Sequence, residues 1–309
     1  MFSSMKDNLV NLLKLIVSIL LLWIAARLVD FHLLRGIILN CDLSYIALAI
    51  VLQLASTTLA AYRWSLIMGA LKFHETFMFY LTRYFKGAFF NQALPGSIGG
   101  DAVRGLELGK MGYSKREAFS GIFIDRIVGL AGLLILNLIA NLASDHLLPT
   151  WLFNLINAIS IGGIAGFTVL ILLRKIAWLQ NYRITQIFAS LSSRFRKVYA
   201  NKQAILTQIS LSILIHFLSI LALYELSRSI GMTLPLSLFL VAVPPVFLLT
   251  IIPISLAGWG VRESAMVGIF LLIGASKEMI LSVSILYGVM LIVASLPGLF
   301  IWLRGKKLL

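Results

Sequence analysis

The sequence is poor in cysteine, in histidine and in charge. Charged residues make up 12% of its 309 residues, histidine occurs four times, and Cys41 is its one cysteine. A single cysteine excludes an internal disulfide, and no cluster of His and Cys suggests a bound metal. Apolar residues make up 60% of the chain, and a soluble domain of that composition would expose large apolar patches. The sequence therefore excludes a soluble catalytic domain and predicts an integral membrane protein without a metal or other cofactor.

Long apolar runs indicate the fold class. Six stretches approach the ~20 apolar residues that a membrane-spanning helix needs. Since polar and apolar residues do not alternate in them as they would in barrel strands, we predict an all-α polytopic bundle. The predicted spans are residues 10–26, 45–68, 119–142, 151–173, 204–227 and 280–302. Within the first, the stretch Leu15 to Ala26 follows Lys6 and Lys14 as a signal-peptide core would, but we expect it to be retained as an anchor.

The distribution of basic residues predicts the orientation. Lys and Arg number 26 against 12 Asp and Glu, which in a soluble protein would suggest nucleic acid. Here the bases lie in loops, so the positive-inside rule is the better interpretation, and we expect no nucleic-acid partner. With a cytoplasmic N-terminus, the inner side collects Lys6, Arg63, Lys72 and the bases of 104–116, 174–202 and 304–307, whereas the outer side holds Arg27, Arg35, Arg228 and Lys277. We predict a multi-pass protein of a bacterial-type plasma (inner) membrane with both termini cytoplasmic.

The longest polar segment, residues 174–203, has a helical pattern of its own. Basic residues fall largely between apolar positions at helical spacing, which are Ile184, Ile187, Phe188, Leu191, Phe195 and Val198. A basic amphipathic helix lies in the headgroup layer and attracts anionic lipid. We therefore predict a cytoplasmic interfacial helix here, with a solvated connector as the alternative.

Two parts of the chain resemble each other. Residues 95, 97, 103 and 104 are Pro, Ser, Val and Arg, and the same four residue types recur at 253, 255, 261 and 262. The same offset places apolar segment 77–94 on 235–252. Within one membrane domain, 1–309, this predicts repeat 1 at 45–142, a connecting helix at 151–173, the amphipathic segment 174–203 and repeat 2 at 204–302. The connecting helix inverts the second copy, so we predict re-entrant Pro/Gly-broken hairpins, 76–102 and 235–274, that enter from opposite faces, as in many transporters.

Charged residues collect in and beside these hairpins. Each would cost ~2.5–3.5 kcal/mol at the centre of a membrane helix, so most must pair or face water. Backbone N–H groups at Gly96, Gly99 and Gly100 could face an anion at the start of the helix that carries Arg104, and arginine binds phosphate in a bidentate manner. The candidate headgroup site consists of Arg83, Lys86, Asn91, Ser97, Gly99, Gly100, Asp101, Arg104, Asp125, Arg126, Ser255, Trp259, Arg262 and Glu263.

A structural role is the alternative for the same residues. Asp101 with Arg104, and Arg262 with Glu263, could form ion pairs that only pin the hairpins. Outside the hairpins, His216 and Glu225 lie on one predicted helix, and we interpret them as hydrogen-bonded polar residues rather than as metal ligands.

Three ordered motifs resemble one known family. Residues 89–104 resemble the hallmark segment of the lysylphosphatidylglycerol synthase transmembrane, or flippase-like, family, residues 125–130 its second block, and residues 253–263 its third. Ala257 departs from the glycine expected in the third block, and Trp259 replaces a small or aliphatic residue. The resemblance covers nearly the whole chain, about residues 45–300.

The resemblance implies a role in lipid chemistry. Long members join the membrane region to a cytosolic transferase that makes lysyl-phosphatidylglycerol, and the membrane region moves the product to the outer leaflet. The sequence ends soon after the last predicted span, so we expect no transferase domain. Stand-alone members accompany lipid, glycolipid, hopanoid or polyprenyl-linked pathways.

Three hypotheses follow. The first is a translocase for an anionic, aminoacylated or polyprenyl-phosphate-linked lipid. The second is an intramembrane lipid transferase with Asp101 or Glu263 as general base; in the first hypothesis no residue is catalytic. The third is a membrane partner of a separate synthase or glycosyltransferase. The expected partners are membrane lipids with anionic headgroups, and the sequence leaves a homodimer open.

Overall fold

Helices account for nearly all of the secondary structure of this protein. The computed structural model describes residues 36, 39–93, 99–144, 147–172, 191, 193–252, 255 and 257–305. The elements are α1 (Leu43–Ala70), α2 (Phe77–Ala93), α3 (Gly99–Lys110), α4 (Lys115–Ala143), α5 (Thr150–Leu172), α6 (Lys202–Ser229), α7 (Leu236–Ile251), α8 (Val261–Leu271) and α9 (Lys277–Gly305). Within the described ranges there is no strand, so the predicted all-α class is confirmed.

Five of these helices are long and apolar enough to cross a membrane: α1, α4, α5, α6 and α9. They coincide with the five predicted spans from 45–68 onward. The predicted first span, 10–26, lies outside the described residues. Two of these helices, α1 and α6, begin at side-chain caps, because Asp42 accepts a hydrogen bond from the backbone N–H of Ser44 and Asn201 accepts one from that of Ala204.

The two segments predicted to be broken each form two short helices. α2 and α3 are separated by 94–98, and α7 and α8 by 252–260. Gly258 and Gly260 have φ of 80° and 81°, which places both in the left-handed region that glycine adopts readily. At 17 and 16 residues, α2 and α7 extend for about 25 Å each at ~1.5 Å per residue.

Helix pairing joins each hairpin to helices from both parts of the chain. α1 packs against α6, α2 against α9, and α4 against both α6 and α7. Within the hairpins α2 packs on α3 and α7 on α8, while α3 also contacts α4 and α8 contacts α9. At Gly298 the approach is so close that a Cβ atom would lie 2.0 Å from the backbone oxygen of Phe85.

The end of the predicted interfacial segment packs against the bundle. Residues 193–198 are helical, and Phe195, Val198 and Tyr199 are buried against Ile67 and Ile124. Arg194 donates hydrogen bonds to Ser120 and to the carbonyl of Arg116, at the beginning of α4. The rest of segment 174–203 up to residue 190 lies outside the described residues.

Candidate functional site

Asp125 on α4 lies between two arginines from other helices. Its carboxylate accepts hydrogen bonds from Arg63 Nε at 3.0 Å and from Arg104 Nη1 at 3.3 Å. Arg63 also donates to the carbonyl oxygen of Asp125 and to Ser212 Oγ. These side chains are nearly inaccessible to solvent, so their attraction is screened less than at a surface. The network therefore ties α1, α3, α4 and α6 together.

Asp101 links a buried arginine to an accessible one. One of its carboxylate oxygens accepts from Arg104, and the other accepts from Arg126 Nε at 2.6 Å. The Arg126 side chain is 35% exposed, whereas that of Arg104 is 5% exposed. Arg126 is therefore the arginine of this network that a ligand reaches most readily.

Arg104 also lies over aromatic rings. Its guanidinium carbon is 4.8 Å from the ring centroid of Trp64 and 4.6 Å from that of Tyr84. Cations over ring faces are attracted by the aromatic quadrupole. With its two carboxylate partners, this stacking fixes the Arg104 side chain.

The remaining candidates of the first hairpin hold α2 and α3 together. Lys86 Nζ lies 2.6 Å from Glu107 Oε1, and Arg83 Nε lies 3.1 Å from Glu107 Oε2. The backbone N–H of Gly100 donates to Asn91 Oδ1 at 2.7 Å. Lys86, Arg83 and the Gly100 N–H, which we predicted to face a headgroup, are thus each engaged within the hairpin. Gly99 begins α3 beside them, and Ser97 lies outside the described residues.

The second hairpin has its own ion pair. Arg262 Nη2 lies 2.6 Å from Glu263 Oε1, which also accepts a hydrogen bond from Ser284 Oγ, and Glu263 Oε2 accepts from the backbone N–H of Gly260. The guanidinium lies 4.8 Å from the ring centroid of half-buried Trp259. Glu263 is completely buried, so this pair and its cap fix the beginning of α8. Ser255 is also buried, just before the turn.

Two adjoining cavities bring the two hairpins together. Cavity 1 has a volume of about 330 Å³, and its charged lining is Arg63, Arg104, Asp125 and Arg126. Cavity 2 has a volume of about 300 Å³, and its charged lining residue is Arg262. They share a wall formed by Ala60, Tyr84, Ile215, His216, Phe247 and Thr250. The repeated arginines Arg104 and Arg262 thus line neighbouring cavities in the interior of the bundle.

Sequence reasoning placed some of these residues correctly and missed others. The two predicted ion pairs, Asp101–Arg104 and Arg262–Glu263, are both present. Arg63, which we counted as a cytoplasmic loop base, lies instead inside α1 and is buried against Asp125. Its place within a predicted apolar span was the signal that could have identified it.

Two further residues belong to the site although they were not among its predicted members. Glu107 holds Arg83 and Lys86, although its position in the helix after the break gave little indication of this. His216, predicted to be a hydrogen-bonded polar residue, does bond through Nε2 to the carbonyl of Gly129 at 2.9 Å, and it also lines both cavities.

Within the described part of the chain, no three His, Cys, Asp or Glu side chains are arranged to hold a metal ion. The arrangement is instead a network of arginines and carboxylates buried among apolar helices. Fold and site together define a multi-pass helical membrane protein with a charged interior.

A family comparison identifies the group to which this membrane protein belongs. The family model described as "Lysylphosphatidylglycerol synthase TM region" matches residues 11–298. The chain therefore belongs to the lysylphosphatidylglycerol synthase transmembrane-region family, as its three motifs had indicated. A search among curated proteins returned no match.

Proposed function

We propose that this protein is a lipid translocase that moves a lipid with an anionic headgroup between the leaflets of a bacterial-type plasma (inner) membrane. The observation that carries the proposal is the pair of adjoining cavities, each lined by one of the two repeated arginines, Arg104 and Arg262. Bare charge is expensive in the membrane interior. A route lined by fixed cations lowers that cost for a phosphate group while the acyl chains stay in lipid.

An inverted repeat would account for the two-sided arrangement. If α1–α4 correspond to α6–α9, each contact between helices in one half should have a counterpart in the other. The contact of α2 with α9 then corresponds to that of α7 with α4. In the same way the contact of α2 with α3 corresponds to that of α7 with α8, and the contact of α3 with α4 to that of α8 with α9. Each of these pairs is in contact, and α1 packs on its own counterpart, α6. This matched pairing supports repeats at 45–142 and 204–302.

The helix directions support hairpins that enter from opposite faces. The end of α1, the beginning of α2 and the beginning of α4 lie at one end of the bundle, since a Cβ atom added at Gly121 would lie 3.2 Å from Leu71 Cδ1 and the Tyr113 hydroxyl donates to Glu75. The beginning of α1 meets the end of α6 at the other end, through a hydrogen bond from Asp42 N to Ser229 O. α2 therefore starts from the first end and α7 from the second.

Charge supports the proposed orientation. The first end carries Lys72, Lys110, Lys115, Arg116 and the bases of 194–202, whereas Arg228 and Lys277 lie at the second. The positive-inside rule assigns the first end to the cytoplasm. The end of α9, with Arg304, then lies in the cytoplasm as well.

The ion pairs explain how the cations could be both fixed and available. Each buried arginine has a carboxylate partner when no lipid is bound, so the empty protein avoids an uncompensated charge. Arg126, the more exposed arginine, meets a headgroup phosphate in cavity 1, with Arg104 and Asn91 beside it. Arg262, beside Trp259, continues the route in cavity 2. Arg83, Lys86, Gly99, Gly100, Ser255 and Glu263 then have a supporting role in the hairpins.

The alternatives have less support. A general base must reach its substrate, but both oxygens of Asp101 accept from arginines and Glu263 is completely buried. A transferase that uses either residue is therefore disfavoured. A non-catalytic partner of a separate synthase or glycosyltransferase would have no need for two joined charged cavities.

A leaflet-resolved assay tests the proposal. The purified protein is reconstituted in vesicles that contain a fluorescent phosphatidylglycerol, and a membrane-impermeant quencher added outside reports the outer-leaflet fraction. We expect the quenched fraction to rise from about one half towards completion as inner-leaflet lipid is exchanged outward. Empty vesicles and vesicles with heat-denatured protein are the controls. Equal quenching in all three preparations would rule out translocation of this lipid.

A further inference from the structure

The two cavities differ in the chemistry of their walls. Cavity 1 is lined by Arg63, Arg104 and Arg126 with Asp125 as the one carboxylate in its described lining. Cavity 2 has one cation, Arg262, which is already paired with Glu263, and its other polar groups include the uncharged side chains of Gln53, Ser56, Thr57, Ser219, Thr250 and Tyr287. The first wall suits a phosphate. The second suits a group that exchanges hydrogen bonds without carrying charge.

Cavity 2 contains a buried acceptor that is unsatisfied. The side-chain oxygen of Gln53 is buried and has no hydrogen-bond partner within the part of the chain that the structure describes. Buried polar atoms usually have such a partner, and leaving one without it costs free energy. Gln53 is among the lining residues of cavity 2, so a rotation of its side-chain amide towards the cavity would let a ligand hydroxyl satisfy this oxygen.

The carboxylates near the cavities are already occupied. Both oxygens of Asp101, Asp125 and Glu107 lie at arginine or lysine side chains. Those of Glu263 accept from Arg262, Ser284 and Gly260. A headgroup ammonium would therefore enter beside guanidinium groups with no described carboxylate free to receive it, and like charges repel.

We propose that cavity 2 is a polyol subsite, in which Gln53 accepts a hydrogen bond from a hydroxyl of an uncharged headgroup whose phosphate lies in cavity 1. The substrate class is then a phosphodiester lipid with a glycerol, inositol or sugar headgroup. Lipids whose headgroup carries an aminoacyl cation are poor ligands. This inference rests on the proposed function and narrows its substrate.

Binding measurements separate the hydroxyls from the charge. The protein is held in a polyoxyethylene detergent, because the sugar of a maltoside would compete for cavity 2. Calorimetric titration compares dioctanoyl phosphatidylglycerol with dioctanoyl phosphatidylpropanol, which has the same charge and headgroup length but no hydroxyl groups. We expect phosphatidylglycerol to bind about fivefold more tightly, the effect of one or two neutral hydrogen bonds. Dioctanoyl phosphatidylinositol and a glycosyl phospholipid distinguish among polyols.

Two variants assign the effect to cavity 2. Gln53→Leu should lower the affinity for phosphatidylglycerol to that for phosphatidylpropanol, and it should leave the affinity for phosphatidylpropanol unchanged. Gln208→Leu is the matched control, since the Gln208 side-chain oxygen is also buried without a partner but Gln208 is not among the lining residues of either cavity. It should leave the fivefold preference intact.

Several outcomes would overturn the subsite. One is that lysyl-phosphatidylglycerol binds as tightly as phosphatidylglycerol. Another is that phosphatidylglycerol binds no more tightly than phosphatidylpropanol. The last is that the preference for phosphatidylglycerol survives Gln53→Leu or is lost in Gln208→Leu. The proposed function fails differently. If the predicted binding preferences hold but the reconstituted protein moves no lipid, the subsite is supported and translocation is refuted.

Discussion

Arg63 on α1 and Asp125 on α4 form an ion pair with a separation of 2.9 Å, and both side chains are almost completely buried. Asp125 also receives Arg104 from α3, so one carboxylate neutralises charge from two other helices. Breaking a buried ion pair by removing one partner is strongly destabilising, because an uncompensated charge is left behind.

The variant Asp125→Asn tests this role. It keeps the shape of the side chain but removes its charge, and we expect it to lower the free energy of unfolding by about 3–5 kcal/mol. The measurement is thermal unfolding in detergent. Glu117→Gln, at an exposed position of the same helix, should melt as the parent does. An Asp125→Asn protein as stable as the parent would mean that the network does not hold the helices together.

Gly298 allows α9 to lie directly against α2. A Cβ atom there would be 2.0 Å from the carbonyl oxygen of Phe85, so Gly298→Ala must separate the two helices. We expect it to lower the free energy of unfolding by about 1–3 kcal/mol, the usual cost of overpacking. The matched control is Gly166→Ala in α5, where no atom lies within 4 Å of the added methyl group. Equal loss of stability in both variants would contradict the close contact.

Ala257 has a backbone conformation that favours glycine. Its φ is 48°, in the left-handed region, where a Cβ atom costs roughly 1–2 kcal/mol. We expect Ala257→Gly to raise the free energy of unfolding by about 1 kcal/mol, measured as a higher thermal midpoint. Ala265→Gly, inside α8, should act in the opposite direction, since glycine costs about 1 kcal/mol in a helix interior. A lower midpoint for Ala257→Gly would contradict the strain.

The periodicity and length of the apolar runs predicted most of the fold. Five spans could be located because a membrane helix must be apolar over almost its whole length. The breaks were recognisable from Pro and Gly near 95 and 258. The third-block position at Ala257, where glycine was expected, is indeed in a conformation typical of glycine.

The ion partners were harder to predict than the helices. Asp101–Arg104 and Arg262–Glu263 are close in sequence, so a helical turn was enough to pair them. Arg63–Asp125 and Lys86–Glu107 join different helices, and their pairing depends on how those helices pack. Burial alone indicated that each charge needed a partner, but it did not indicate which one.

A variant at Arg126 can test lipid binding in cavity 1 separately from protein stability. Its side chain is 35% exposed, whereas Asp101 keeps a second partner in Arg104. We therefore expect Arg126→Gln to change stability by less than about 1 kcal/mol, as for other partly exposed ion pairs. It should slow translocation of phosphatidylglycerol about tenfold, because a charge-assisted contact to phosphate contributes roughly 1.5–3 kcal/mol.

The measurement for Arg126→Gln is the rate of outer-leaflet appearance in reconstituted vesicles. Lys277→Gln, at the exposed beginning of α9, is the matched loss of a positive charge and should keep the parent rate. An Arg126→Gln protein that melts normally and translocates at the parent rate would show that this arginine does not meet the headgroup.

The last prediction distinguishes a transport role of Arg262 from a purely structural one. Arg262→Met alone leaves the Glu263 carboxylate buried without its cation, and we expect a loss of about 3–5 kcal/mol of stability. A low translocation rate in that variant would therefore have no single explanation. Adding Glu263→Gln removes the remaining charge, and its side-chain oxygen can still accept the backbone N–H of Gly260 that Glu263 now accepts. Neutralising both members of a buried pair is often close to neutral for stability.

The double variant Arg262→Met with Glu263→Gln should thus have a thermal midpoint close to that of the parent. It should still translocate lipid slowly, because Arg262 is the cation among the described lining residues of cavity 2. Glu263→Gln alone keeps that cation but leaves it buried without its carboxylate, so it should lose stability as Arg262→Met does, and Lys277→Gln remains the control for transport. Thermal unfolding and the leaflet assay are measured on the same preparations. If the double variant regains both stability and the parent rate of translocation, then Arg262 serves only to pin the second hairpin, and the route for the phosphate does not pass through cavity 2.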